Sequence, residues 1–280
     1  MHNLEFPACQ PEEQLRSIID RKRGNTKIAL DEALTRVLQR YDLLQEHFDN
    51  QTLTTLGAEA WEDEHTAALL HCYAVEVDAL SELKRLIRGN QPLPLRKICP
   101  YCGIGSPGQF DHYLPKARFP EFSVHAYNLV PCCGQCNAIK GETWLVNGAR
   151  AFINFYADAL PTSAIVCPEV DWLDVAGTAV PNMTFSLVCP DDFDAHRFAL
   201  IEQHFDRLNL LERYREEAPS EFYDLRISAR ARKATTTYDL RVFLQGWIDQ
   251  HTEGRGPVNW KLALYQELVN QDRFLHDCLT

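Results

Sequence analysis

Cys99-Pro-Tyr-Cys102 and Cys133-Gly-Gln-Cys136 are two Cys-x-x-Cys pairs, the spacing at which a tight knuckle offers two thiolates to one tetrahedral ion. Pro100 and Gly103 supply turn chemistry at the first knuckle. Cys132 competes with Cys133, but it lies four steps from Cys136, so Cys99, Cys102, Cys133 and Cys136 are the expected ligands of a structural Zn2+. Zinc saturated by four thiolates has no open position for a substrate. Reactive groups must therefore lie elsewhere.

Such groups lie between and just after the knuckles: Asp111, His112, Asn128 and Asn137, with Lys116, Arg118 and Lys140 close by. Adjacent residues on a strand face opposite ways, so Asp111 can meet a metal while His112 meets a water. An imidazole is the side chain that accepts a proton near neutral pH, as attack of water on a phosphodiester requires. The three cations suit neighbouring phosphates.

The order Asp-His, Asn, Asn, framed by the knuckles, with Pro115 after the His and Lys140-Gly141 closing the segment, resembles the HNH (ββα-metal) endonucleases. In that family a two-stranded hairpin and one helix wrap a single divalent ion. The resemblance implies that Asp111 is the acidic metal ligand, His112 the general base and Asn128 the brace of the loop that aims it. Asn137 falls where many members carry His, as in the HNN variant. Asp111 with the amide of Asn137 is a hard donor pair suited to Mg2+ or Mn2+. The implied activity is hydrolysis of DNA. The helical flanks extend the resemblance to nuclease subunits of bacterial anti-phage systems of Septu type, which work beside an ATPase. A ribonuclease or toxin acting on RNA, and a non-catalytic zinc-stabilised binding module, remain alternatives.

The net charge of −11 opposes nucleic-acid binding in bulk, but its distribution does not. Residues 81–150 carry nine Lys and Arg against four Asp and Glu, a local +5 at the candidate site, leaving −16 for the rest. An acidic body around a basic site suits delivery to DNA by a partner subunit. No apolar run is long enough to span a membrane, and the first residues lack the pattern of an export signal. A cytoplasmic protein with no membrane partner is expected.

Elements that would position the site follow from periodicity. Leu30 to Phe48 and Leu69 to Ile87 carry apolar residues at steps of three and four, which predicts two antiparallel helices with core-facing stripes. Gly89 to Pro94 ends the second. Phe110 to Tyr113 and Leu129 to Pro131 are the expected hairpin strands, and the helix that follows carries Asn137 and Lys140 on one face. A short helix through Phe152 and Phe155, a hairpin over Ile165 to Val188 and further helices complete the chain. Arg226, Arg230 and Lys233 offer a basic helical face. The expectation is an α+β protein in three parts: helical residues 1–90, a nuclease core over 91–150, and a hairpin followed by helices over 151–280.

Overall fold

The computed structural model describes residues 1–279, with only the backbone of Thr178. It is a mixture of helices and small two-stranded sheets, consistent with the α+β class, and its chain divides into two compact units. One comprises Asn3–Ala159; the other comprises Leu160–Thr280 together with Met1–His2.

The first unit holds helices α1 (Pro11–Ile19), α2 (Gly24–Asp49), α3 (Asp63–Ala74) and α4 (Asp78–Gly89). Hairpin β1 (Gln109–His112) and β2 (Leu129–Cys132) follows, then α5 (Gly134–Lys140) and a small ribbon, β3 (Leu145–Val146) with β4 (Ala149–Arg150). The apolar stripe of α2 buries Leu30, Val37, Tyr41, Leu44 and Phe48. The stripe over Leu69 to Ile87 is two helices, not one. β-branched Val75 and Val77 adopt extended backbone between them, and Asp78 opens α4 at the end that favours an acid.

The helical residues and the segment over 91–150, expected as separate parts meeting near residue 90, share this unit. A buried ion pair shows why: Arg40 of α2 donates from Nε to Oε1 of Glu121 at 2.9 Å, and Trp61 Nε1 donates to Oε2 at 3.1 Å. Glu121 belongs to the loop between β1 and β2, so the helices hold the core's own connection. Residues 151–159 form turns instead of a helix, because Asp158 accepts from the Arg150 guanidinium and from the backbone N–H of Asn154.

In the second unit β5 (Val166–Val175) and β6 (Thr178–Leu187) pair in register from Val166↔Leu187 to Val175↔Thr178. Ala176 and Gly177, both at positive φ, make the two-residue turn. Helices α6 (Ala195–Leu208), α7 (Leu210–Ala231), α8 (Thr237–Arg255), α9 (Trp260–Asn270) and α10 (Asp272–Leu279) complete it. The basic face expected on α7 is not free: Arg226 and Arg230 both pair with Asp277 of α10, at 2.6 and 3.6 Å. No helix among the described residues is long and apolar enough to cross a membrane.

Candidate metal and nuclease centre

Cys99, Cys102, Cys133 and Cys136 bring four buried sulfurs within 4.8 Å of one another, a cluster that could hold a zinc ion. The Cys102 and Cys133 sulfurs are 3.8 Å apart, and a tetrahedron with Zn–S bonds of 2.3 Å has edges of about 3.8 Å. Backbone N–H groups of Ile104, Cys133 and Cys136 donate to cluster sulfurs, as they do around thiolates in a knuckle. Gly105 is required here, since a Cβ on it would lie 2.8 Å from Cys133 Cβ. Cys132 pairs with Gln109 across the hairpin and stays outside the cluster.

The four-cysteine cluster joins the segment before β1 to the one after β2, and β1 alternates as a strand must. Its even residues, Phe110 and His112, face the helical region: the His112 ring meets Tyr73 of α3 edge-on at 4.4 Å, and the Arg88 guanidinium of α4 lies 4.5 Å over Phe110. Its odd residues, Gln109 and Asp111, face α5. Asn137 Nδ2 donates to Gln109 Oε1 at 2.7 Å, and Lys140 Nζ reaches Asp111.

His112 is buried and donates Nε2–H to the carbonyl of Ser123 at 2.9 Å. A carbonyl only accepts, so the tautomer is decided and Nδ1 keeps its lone pair. Ser123 is in turn held by α3, its hydroxyl donating to the Leu69 carbonyl at 2.8 Å. Burial pushes the His112 pKa down to about 3, against the pull of the Ser123 bond, so the ring is neutral at neutral pH.

Asn128 is fully engaged. Oδ1 accepts from the N–H of Leu114 at 2.7 Å, while Nδ2 donates to the carbonyls of Leu114 at 3.0 Å and Phe122 at 3.1 Å. It ties both ends of the β1–β2 loop, the segment that carries Ser123.

Asp111 accepts from the Tyr101 hydroxyl at 2.7 Å and lies 3.0 Å from Lys140 Nζ at both oxygens. Burial pushes its carboxyl up, with Lys140 pulling the other way. Lys140 is buried and also donates to the carbonyl of His112 at 2.9 Å, so its expected contact with nucleic-acid phosphates is corrected: it is an internal counter-ion of Asp111. Arg118 departs from expectation too. Its exposed guanidinium lies over Phe119 and Trp144, away from the cavity. Lys116 is exposed and on the cavity wall.

That cavity, of about 620 Å³, is lined by Asp111, His112, Asn137 and Lys116 together with Tyr73, Lys84 and Arg88. The donors fit a hard divalent ion. Asp111 and Asn137 both line one open space and both carry oxygen donors, and Asn137 bonds Gln109 through its nitrogen. Lys140 and Tyr101 already engage the carboxylate, which weakens that affinity. Tyr73 falls within the apolar stripe of Leu69 to Ile87, and no local pattern marks Tyr101 or Ser123. Lys84 and Arg88 were legible only as part of the local positive charge.

The chain is 33% identical over 194 residues to protein ea31 of Escherichia phage lambda, a match covering 63% of this chain and 62% of that protein. It therefore spans a little under two thirds of the length of this relative. No family model matches the chain, and no solved structure matches it.

Proposed function

We propose that this protein is a divalent-metal-dependent endonuclease that hydrolyses phosphodiester bonds in DNA, with His112 as the general base. One observation carries the reading. His112, its tautomer held by Ser123, lines the same cavity as the oxygen donors Asp111 and Asn137. His112 Nδ1 takes the proton of the attacking water, and Asn128 keeps the loop closed behind Ser123 so that the ring does not turn. Mg2+ or Mn2+ held by Asp111 and Asn137 would stabilise charge on a non-bridging oxygen and on the leaving group. The zinc cluster has no open position and keeps the hairpin and α5 together.

Support for a phosphate-bearing substrate comes from the excess of Lys and Arg over residues 81–150, and support for an accessory subunit comes from the acidic remainder. The accessory subunit is proposed to be an ATPase of an anti-phage complex.

Incubation of the zinc-loaded protein with supercoiled plasmid and Mg2+ or Mn2+ tests the reading. Nicking or linearisation is expected, lost with EDTA and in a folded, zinc-replete His112→Ala variant. Cleavage that persists in His112→Ala would sink the assigned base. An inert wild type that instead cuts RNA of the same sequence would move the activity to ribonuclease.

A further inference from the structure

Arg88 lies one helical turn beyond Lys84 on α4, and the two cations differ in what holds them. Lys84 is paired with Glu76 at 2.7 Å. Arg88 has no carboxylate within ion-pair distance among the described residues. It makes one long bond, from Nη2 to the Gly108 carbonyl at 3.3 Å, and its Nε is buried with no partner. A guanidinium has five N–H donors in a fixed fork, so most of its capacity is unused, although it lines the cavity. Its guanidinium carbon lies 4.5 Å over the centre of the Phe110 ring.

The strand beneath sets the spacing. Phe110 and His112 are neighbours on one face of β1, about 6.8 Å apart along the strand. That is comparable with the separation of adjacent phosphates on a nucleic-acid strand. Lys116, also without a carboxylate partner among the described residues, lies on the other side of His112 in sequence, its ammonium 5.8 Å from the Tyr73 ring.

We propose that Arg88 and Lys116 bind the phosphates flanking the scissile one, so that a DNA strand lies along β1 with His112 between two cationic anchors. The inference rests on the nuclease reading and extends it. The helical region contributes a substrate-binding residue instead of merely packing behind the core. Bidentate recognition of a phosphate uses the fork that Phe110 presents.

The test measures binding of a fluorescein-labelled single-stranded oligodeoxynucleotide by the zinc-loaded full chain in the His112→Ala background with Mg2+, by anisotropy across a KCl series. Arg88→Ala is expected to weaken binding roughly three- to tenfold and to reduce the slope of log K against log[KCl] by about 0.7. Arg88→Lys should recover part of the affinity and the whole slope. Arg85→Ala, on the same helix but engaged by Glu82, should change neither. If Arg88→Ala does not fold, Arg88→Gln against Arg88→Lys decides, since of the two only Lys keeps the positive charge. Unchanged affinity and slope in a chain whose wild type cuts plasmid would overturn the anchor and leave the nuclease intact. A wild type that neither binds nor cuts DNA would overturn both.

Discussion

Lys140 Nζ lies 3.0 Å from both carboxylate oxygens of Asp111, and both side chains are removed from water. Tyr101 and the His112 carbonyl complete the set, so a charged pair sits directly under the cavity with every partner supplied by the protein. A pair so placed owes its stability to being complete, since either charge alone would be buried without compensation.

Replacing the ammonium should therefore be severe. Lys140→Met is expected to lower the stability of the first unit by about 3–5 kcal/mol in urea unfolding. Adding Asp111→Asn removes the orphaned charge while keeping an acceptor for Tyr101. The double variant should recover more than half of the loss, a coupling that a double-mutant cycle reads directly.

Asn128 gives an ordered pair of outcomes. Asn128→Ala leaves one N–H and two carbonyls in the loop without their partner, at a cost of roughly 2–4 kcal/mol. Asn128→Asp is expected to be worse, because it turns the donor facing Leu114 and Phe122 into an acceptor. Denaturant midpoints of the two variants check the order, and equal midpoints would contradict it.

Metal content separates the neighbouring cysteines. Atomic emission should find zinc retained in Cys132→Ala, which lies outside the cluster, and lost or much weakened in Cys133→Ser. Stripping zinc with a chelator should raise hydrogen exchange in β1, β2 and α5 first, since the cluster is what joins them.

A pH dependence follows from His125, buried against Tyr41 and accepting from the Tyr127 N–H, with its pKa pushed by burial from 6.5 down to about 3. Between those values the unfolded chain binds a proton that the folded one does not. The stabilisation is thus complete above about pH 6.5 and falls with acid through that window, by up to about 1.4 kcal/mol per pH unit. His125→Asn keeps an acceptor for Tyr127 and should flatten the stability profile between pH 4.5 and 6.5 by that amount.

Much of the site was legible because its signals are local. Cysteine spacing separated Cys133 from Cys132, and the adjacency of Asp111 and His112 on a strand put them on opposite faces, one toward α5 and one toward α3. The hairpin strands fell within a residue of their expected bounds. Boundaries set by neighbours through space were less accessible. The single helix expected over Leu69 to Ile87 breaks at Val75, and of the two divisions expected, near residues 90 and 150, the compact units separate only at 159/160. Neither the Arg40–Glu121 pair nor the Ser123–Leu69 bond, which tie helices to core, leaves a periodic trace.

By itself the sequence determined the cysteine quartet, the strand pair and the opposite faces taken by Asp111 and His112, because spacing and alternation are properties of a short stretch of backbone. Only the tertiary structure decided which charges face the cavity. Lys140, Arg118 and Arg88 are equivalent cations along the chain. Burial against Asp111 engages the first, the second lies over Phe119 and Trp144, and the third lies over Phe110 with no carboxylate partner among the described residues. Charge is inherited from sequence, but its availability is set by the partners that packing brings within reach.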